Sequence, residues 1–296
     1  MPDEQALKNE MQGSDGFLAE FKEDHIPDSS EMSERALEKY EDNNSKVLPS
    51  DVKADFSDIL MDLISIETRI FEVRTGEVYP EAMAEFLQRH YNSGQAGLSS
   101  YANNSGVNYA EYPETQKVFE EIADIFNAYN NFDEAFERIF PLTYHLMKPI
   151  CESEFQSAGK RAGLGFKNHV IGLIEIAGFT IRAEERRDNG YVIDIQEPGG
   201  NKVEKVYFGF HTTLRDRFRQ SFSDAPVGMD KYLVTGLGAG AYQEDDAEDL
   251  TRDKIDTIRD AGFSLVVLDH VENRFSGKSN VLSYENLVNT ELPRLF

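Results

Sequence analysis

The sequence predicts an α/β fold with a mixed central sheet, preceded by an all-helical N-terminal domain, and three observations carry that expectation. Through residue 148 apolar side chains recur at three- and four-residue spacing, the period of a helix buried on one face. After Ser157 the chain changes to short apolar or alternating runs bounded by turn residues, the pattern of strands. Those runs then alternate with helix-like segments to the end, the arrangement of an α/β layer structure. We therefore expect residues 1–150 to form the helical domain and residues 151–296 the α/β domain.

The elements follow in order. Residues 1–50 are polar and acidic, with short helical patterns at Gln5–Phe21 and Ser33–Tyr40 around Pro27-Asp28-Ser29-Ser30, and are expected to be loosely ordered. From Asp51, residues Phe56, Ile59, Leu60, Leu63, Ile66 and Ile70 form one apolar stripe, with Ser50 or Asp51 as a cap. Further helices are predicted at Pro80–Tyr91, Pro113–Tyr129 and Phe132–Met147. The stripe Phe119, Ile122, Ile125, Phe126 and Tyr129 reads as core. A helix over Gly163–Gly178 precedes strands at Phe179–Ala183, Tyr191–Gln196 and Val203–Phe210. Pro198-Gly199-Gly200-Asn201 makes the last two a hairpin. A helix at Thr212–Phe222, a strand at Lys231–Thr235, a helix at Thr251–Ala261, a strand at Ser264–Leu268 and a helix at Tyr284–Leu292 complete the chain.

Composition narrows the function. The single cysteine, Cys151, excludes an intramolecular disulfide, and no apolar run reaches the roughly 18 residues of a membrane span. A cytoplasmic protein is the expectation. The net charge of −24 weighs against a nucleic-acid partner, since phosphate binding needs Lys and Arg. Its distribution restores that partner: residues 1–60 hold 16 acidic and 6 basic side chains, whereas residues 160–219 hold 11 basic against 8 acidic. The strongly acidic surface also suits a saline cytoplasm, so a halophilic source is a further expectation beside the plainer one of a merely acidic protein.

The chemistry concentrates where the last hairpin strand ends. Val206-Tyr207-Phe208-Gly209-Phe210 is apolar, His211 closes it, and Thr212-Thr213-Leu214-Arg215-Asp216-Arg217-Phe218-Arg219-Gln220 turns basic and helix-competent. Hydrolysing a phosphodiester usually takes a hard divalent cation held by carboxylates, commonly assisted by a lysine. Two acids and a cation should therefore converge here. If Pro198–Asn201 is the turn, Glu197 faces Lys202 and Lys205 faces Asp194; counting back places Asp188 opposite His211. Asp194 would lie about 20 Å from His211 at roughly 3.3 Å per residue, so Asp188 is the better ligand. An arginine bonds guanine O6 and N7 bidentately, and a carboxylate accepts from cytosine N4, so Arg215-Asp216-Arg217 suits direct base reading. A salt-bridged helix face is the plainer reading. Lys160, Arg161 and Arg219 suit phosphate contacts, as do Arg186 and Arg187.

The His211 segment resembles type II restriction endonucleases of the PD-(D/E)XK superfamily, in the branch whose targets contain CCGG, CCNGG or CCWGG. That branch carries Val-Lys-Thr-Thr-Leu-Arg-Glu-Arg-Trp-Arg-Gln, with a catalytic lysine where this chain has His211. The run Ala261-Gly262-Phe263-Ser264-Leu265-Val266-Val267-Leu268-Asp269, followed by Asn280-Val281-Leu282-Ser283-Tyr284-Glu285, is similar too. The resemblance covers about half the chain, from residue 157 onward. Beside the Asp188 that the hairpin count picks, which is otherwise an ordinary turn aspartate, it implies a second Mg²⁺ ligand at Asp224, thirteen residues after His211, because in this branch the position two before the lysine, here Gly209, is not acidic; a solvated aspartate near a helix end is the plainer reading of Asp224. The family's aspartate usually follows a proline, which is missing here, and an apolar alignment would put Tyr191 in its place. The preceding Arg161-Ala162-Gly163-Leu164-Gly165-Phe166-Lys167 has Lys167 where the family has an acid, either a displaced cation of the site or a surface lysine. The implied function is Mg²⁺-dependent cleavage of double-stranded DNA at a short G·C-rich palindrome by a homodimer, each subunit offering one Arg-Asp-Arg element to one half-site. The alternatives are a cleavage-deficient relative acting as a sequence-specific DNA-binding or regulatory protein, and a protein-interaction module joined to an inert α/β domain.

Overall fold

Short runs of β-branched and aromatic residues separated by turns, Tyr191–Gln196 and Val203–Phe210 among them, do form a sheet. The computed structural model describes residues 26–96, 113–128, 132–214, 216–236, 250–275 and 277–296, with residues 5, 6, 8 and 9; for some of these, including 79–96, 216 and 217, it describes the backbone alone. The helices before the sheet are α1 (Ser29–Asn43), α2 (Pro49–Ala96), α3 (Pro113–Ala128) and α4 (Phe132–Ile176). Six strands follow: β1 (Thr180–Arg187), β2 (Gly190–Gln196), β3 (Val203–His211), β4 (Asp230–Thr235), β5 (Ser264–Val267) and β6 (Val281–Ser283). Between β3 and β4 lie a 3₁₀ turn, Asp216–Arg219, and the short helix α5 (Gln220–Asp224); α6 (Arg252–Asp260) joins β4 to β5.

The sheet order is β1-β2-β3-β4-β5-β6. Strands β1, β2 and β3 pair antiparallel, and β3 to β6 pair parallel, so the sheet is mixed as expected. The Pro198–Asn201 turn sets the register foreseen from sequence: Glu197 N donates to Lys202 O at 3.0 Å, and Asp194 pairs with Lys205. Gly199, at φ +69°, supplies the left-handed residue the turn needs. Strand β1 runs further than expected, to Arg187, and pairs with Gly190 across the two-residue turn Asp188-Asn189. Strand β6 is not among the expected strands, because its three residues are too short for a period-2 signal.

The chain divides into two compact units, one of Met1–Pro27 with Phe71–Gly159 and one of Asp28–Ile70 with Lys160–Phe296. Residues 28–70, expected in the helical domain, thus belong with the sheet. Burial is the cause: Phe56, Leu60 and Leu63 of α2 enter the same core as Val206, Phe208, Leu233 and Val266. Phe56 stacks on Tyr284 with ring centroids 4.9 Å apart, and Ser57 N donates to Glu285 Oε1 at 2.7 Å. Glu67 of α2 likewise meets the buried His169 of α4. Helix α1 is also better formed than a loosely ordered segment, with the Asp28 carboxylate accepting from Ser30 N and Glu31 N. Most of Gln5–Phe21 lies outside the described residues.

In the other unit, α3 buries Val118 and Ile122 and α4 buries Ile139 and Leu142, the apolar faces their spacing predicts. The side chains of Phe119 and Phe126, and Tyr129 as a whole, lie outside the described residues. Among the described residues no helix is long and apolar enough to cross a membrane.

Candidate active site

Strand alternation decides what surrounds His211. Side chains of β3 point to opposite faces in turn, so Tyr207, Gly209 and His211 share one face and Phe208 and Phe210 the other. On the first face the two nearest strand positions carry almost no bulk, because Gly209 and Gly190 are both glycine. A methyl group at residue 209 would stand 2.9 Å from Ser221 Oγ, and one at residue 190 would run into the Tyr207 hydroxyl and the Phe208 carbonyl. Helix α5 and the Asp188-Asn189 turn close over the space so left.

A hydrogen-bonded chain results. His211 Nε2 lies 2.9 Å from Ser221 Oγ, which donates to Asn189 O at 2.8 Å. Tyr207 Oη donates to the same carbonyl at 3.2 Å, and Asn189 Nδ2 donates to Asp224 Oδ2 at 2.6 Å. Asn189 thus ties the β1–β2 turn to both ends of α5. Burial without a charged partner pushes the His211 pKa down to about 4, so the imidazole is neutral at pH 7. Burial pushes the Tyr207 hydroxyl up to about 12, which keeps it a donor.

The structure brings together some of the expected site residues and not others. His211 and Asp224 share the cluster, joined through Ser221 and Asn189. Asp188 does not join it: β2 begins at Gly190, so Asp188 lies in the turn with an exposed side chain instead of facing His211 across a ladder. The last pair of β2 with β3 is Tyr191 with Phe208. The ladder ends three residues short of Asp188, because the chain at the start of β2 turns through Asp188-Asn189 into β1, whose polar strand TIRAEERR carries no apolar alternation to reveal it. Tyr191 sits on the opposite face from His211, edge-on to Phe210 at 5.9 Å. Lys167 lies on that face too, 4.7 Å over the Tyr191 ring and ion-paired with Glu184.

The expected helix at Thr212–Phe222 begins later. Thr212, Thr213 and Leu214 are not helical, the 3₁₀ turn occupies Asp216–Arg219, and α-helix starts at Gln220. Leu214 is buried and its carbonyl accepts from Lys254 Nζ at 3.2 Å, anchoring the segment just before the arginines. Arg215 and the side chains of Asp216 and Arg217 lie outside the described residues. Of the expected phosphate contacts, Lys160 and Arg219 are exposed and Arg161 is half-buried. Arg186 and Arg187 are exposed at the end of β1, Arg187 paired with Glu185 at 2.8 Å. Ser221 and Asn189 carry no signal in the sequence, because a serine ten residues after a histidine has no motif; only the docking of α5 on Gly209 reveals the pair.

No family model and no curated protein matches the sequence. Among solved structures the chain is similar to metal-depleted Ecl18kI in complex with uncleaved, modified DNA, at a TM-score of 0.65 and 13% identity, covering 100% of this chain and 85% of that one. It is similar to metal-depleted Ecl18kI in complex with uncleaved DNA at the same TM-score and 14% identity, covering 99% and 85%. The likeness shows the fold: a PD-(D/E)XK-like mixed six-stranded sheet flanked by helices, with helices before it.

Proposed function

We propose that this protein is a type II restriction endonuclease, a homodimer that binds a short G·C-rich palindrome and hydrolyses both strands of the DNA with Mg²⁺. The carrying observation is fold likeness along the whole chain to a protein held on DNA, joined to a His211 strand end that runs directly into Arg215-Asp216-Arg217. The Arg-acid-Arg element supports a target of the CCGG, CCNGG or CCWGG type, with the arginines on guanines and Asp216 on a cytosine amino group. Lys160, Arg161 and Arg219 are the proposed phosphate contacts, and a cytoplasmic location goes with this reading.

Of the proposed Mg²⁺ ligands, Asp188 comes from the hairpin count and Asp224 from the sequence resemblance. Mg²⁺ is usually held by one or two carboxylates plus substrate phosphates. Among the described residues no three His, Cys, Asp or Glu side chains gather into a metal site, and Asp224 alone of the two expected ligands reaches the cluster. These side chains do not fit the ion.

That misfit favours a second reading, a cleavage-deficient relative that binds specific DNA without cutting it. Incubating the purified protein with plasmid or phage DNA and Mg²⁺ over a range of salt concentrations separates the two. Discrete fragments support the nuclease; retardation of particular fragments without cleavage supports the binding protein. If neither occurs at any salt concentration, the DNA reading falls. His211→Lys restores the residue of the resembled motif and, on the nuclease reading, retains or raises cleavage.

A further inference from the structure

The proton inventory around His211 fixes more than its contacts. Ser221 Oγ and the Asn189 carbonyl oxygen are 2.8 Å apart, and two oxygens at that separation need a proton between them. A carbonyl has none to give, so the serine hydroxyl proton is committed to Asn189. Ser221 Oγ has lone pairs left and no second proton. The His211 Nε2 that stands 2.9 Å from it must therefore carry the hydrogen of that bond. Because burial keeps the ring neutral, one proton is all it holds at pH 7. Nδ1 then bears the free lone pair, and it has no hydrogen-bond partner among the described residues.

We infer that Ser221 is a positioning residue that holds His211 as its Nε2–H tautomer and so makes Nδ1 the proton acceptor at the end of β3. The arrangement is built from several directions. Gly209 leaves room for Ser221, Tyr207 Oη donates to the same Asn189 carbonyl, and Asp224 holds the Asn189 side chain so that this carbonyl stays in place. The consequence for catalysis rests on the nuclease reading. There Nδ1 takes a proton from the attacking water, the water oxygen bonds to phosphorus as the phosphorus–oxygen bond to the leaving group breaks, and bulk water protonates the leaving oxygen. Nε2 stays protonated throughout and passes its orientation, not its proton, through Ser221.

The test needs no substrate. Long-range ¹H–¹⁵N correlation NMR of the full chain at neutral pH, with His211→Gln used to assign the ring signals, reads which nitrogen carries hydrogen. The expected result is a protonated Nε2 and a bare Nδ1 in the wild type, with Ser221→Ala converting the ring to a tautomer mixture and Ser221→Thr, which keeps the hydroxyl, restoring the single form. A wild type with hydrogen on Nδ1 overturns the inference whether or not any variant folds. So does an unchanged tautomer in a folded Ser221→Ala. In the cleavage assay Ser221→Ala lowers kcat at least ~10-fold with KM little changed. Absence of cleavage by the wild type sinks the nuclease reading and leaves the tautomer assignment standing, so the two failures are distinguishable.

Discussion

The two faces of β3 obey opposite rules over the same six residues. On one, Phe208 and Phe210 stack with ring centroids 5.7 Å apart, Phe208 stacks on Tyr232, and Phe210 meets Phe166 and Tyr191 edge-on. On the other, Gly209 and Gly190 clear a space, and polar atoms of Tyr207, Ser221, Asn189, Asp224 and His211 fill it with directed hydrogen bonds. The aromatic face gains its stability from area and is tolerant of detail. The polar face gains little stability and depends on where each proton sits. One strand thus separates holding the sheet together from presenting chemistry at its end, and a substitution should reveal which face it is on by what it damages.

The largest effect belongs to the aromatic face. Phe208 is fully buried between two other rings, so Phe208→Ala removes most of a side chain and leaves a cavity, at a cost of about 3–5 kcal/mol in unfolding free energy. Urea denaturation measures it. A loss under about 1 kcal/mol would mean that the aromatic stack is not what holds β3.

His211 gives the next effect, through pH. Its folded pKa of about 4 lies below the ordinary 6.5, so between those values the unfolded chain binds a proton that the folded chain does not. Stability contributed by the neutral ring is complete above pH 6.5 and falls as the pH drops toward 4. The loss amounts to at most about 3.5 kcal/mol, at about 1.4 kcal/mol per unit. His211→Gln, which still offers a donor to Ser221, should flatten the stability profile across that window relative to wild type. Parallel profiles for the two proteins would show that His211 titrates normally and that its face is more open to water than the geometry indicates.

Beyond the strand end, the arginines should act on binding and leave folding alone. Arg215→Ala or Arg217→Ala should remove about 1–3 kcal/mol of discrimination between cognate and random duplex for each lost bidentate contact, with non-specific affinity largely kept. Fluorescence anisotropy on both duplexes reads the difference. Equal losses on both would reduce these side chains to phosphate contacts.

The aromatic face was legible in the sequence because alternation and β-branched runs report burial directly, and the Pro198–Asn201 turn fixed its register down to Asp194 opposite Lys205. The polar face was legible only in its endpoints, His211 and Asp224. What joins them passes through a backbone carbonyl of Asn189 and a serine on a five-residue helix, and neither leaves a trace in residue spacing. Counting to Asp188 runs past the end of the ladder at Tyr191–Phe208, because the chain turns there into β1, and a strand without an apolar face cannot be read from hydropathy. The packing of residues 28–70 with the sheet was hidden for another reason. A helix's apolar stripe shows that it is buried and not against what.

The smallest expected effect tests the separation itself. Lys167 stands where the resembled sequences carry an acid, which made it a candidate for a displaced site cation. In the structure it lies over Tyr191 and pairs with Glu184, on the face of β3 away from His211. A cation over an aromatic ring contributes about 0.5–1 kcal/mol at a partly open site, and a surface ion pair about 0–1 kcal/mol. Lys167→Met keeps the apolar stem on Tyr191, so its cost in stability should stay near or below 1 kcal/mol by thermal unfolding. Because the sheet stands between Lys167 and the Ser221–His211 bond, the same variant should cleave or bind DNA within about twofold of wild type and leave the His211 tautomer unchanged. A drop of tenfold or more in cleavage with folding intact would place Lys167 in the chemistry. The two faces of β3 would then have to be coupled, for which the ladder shows no route.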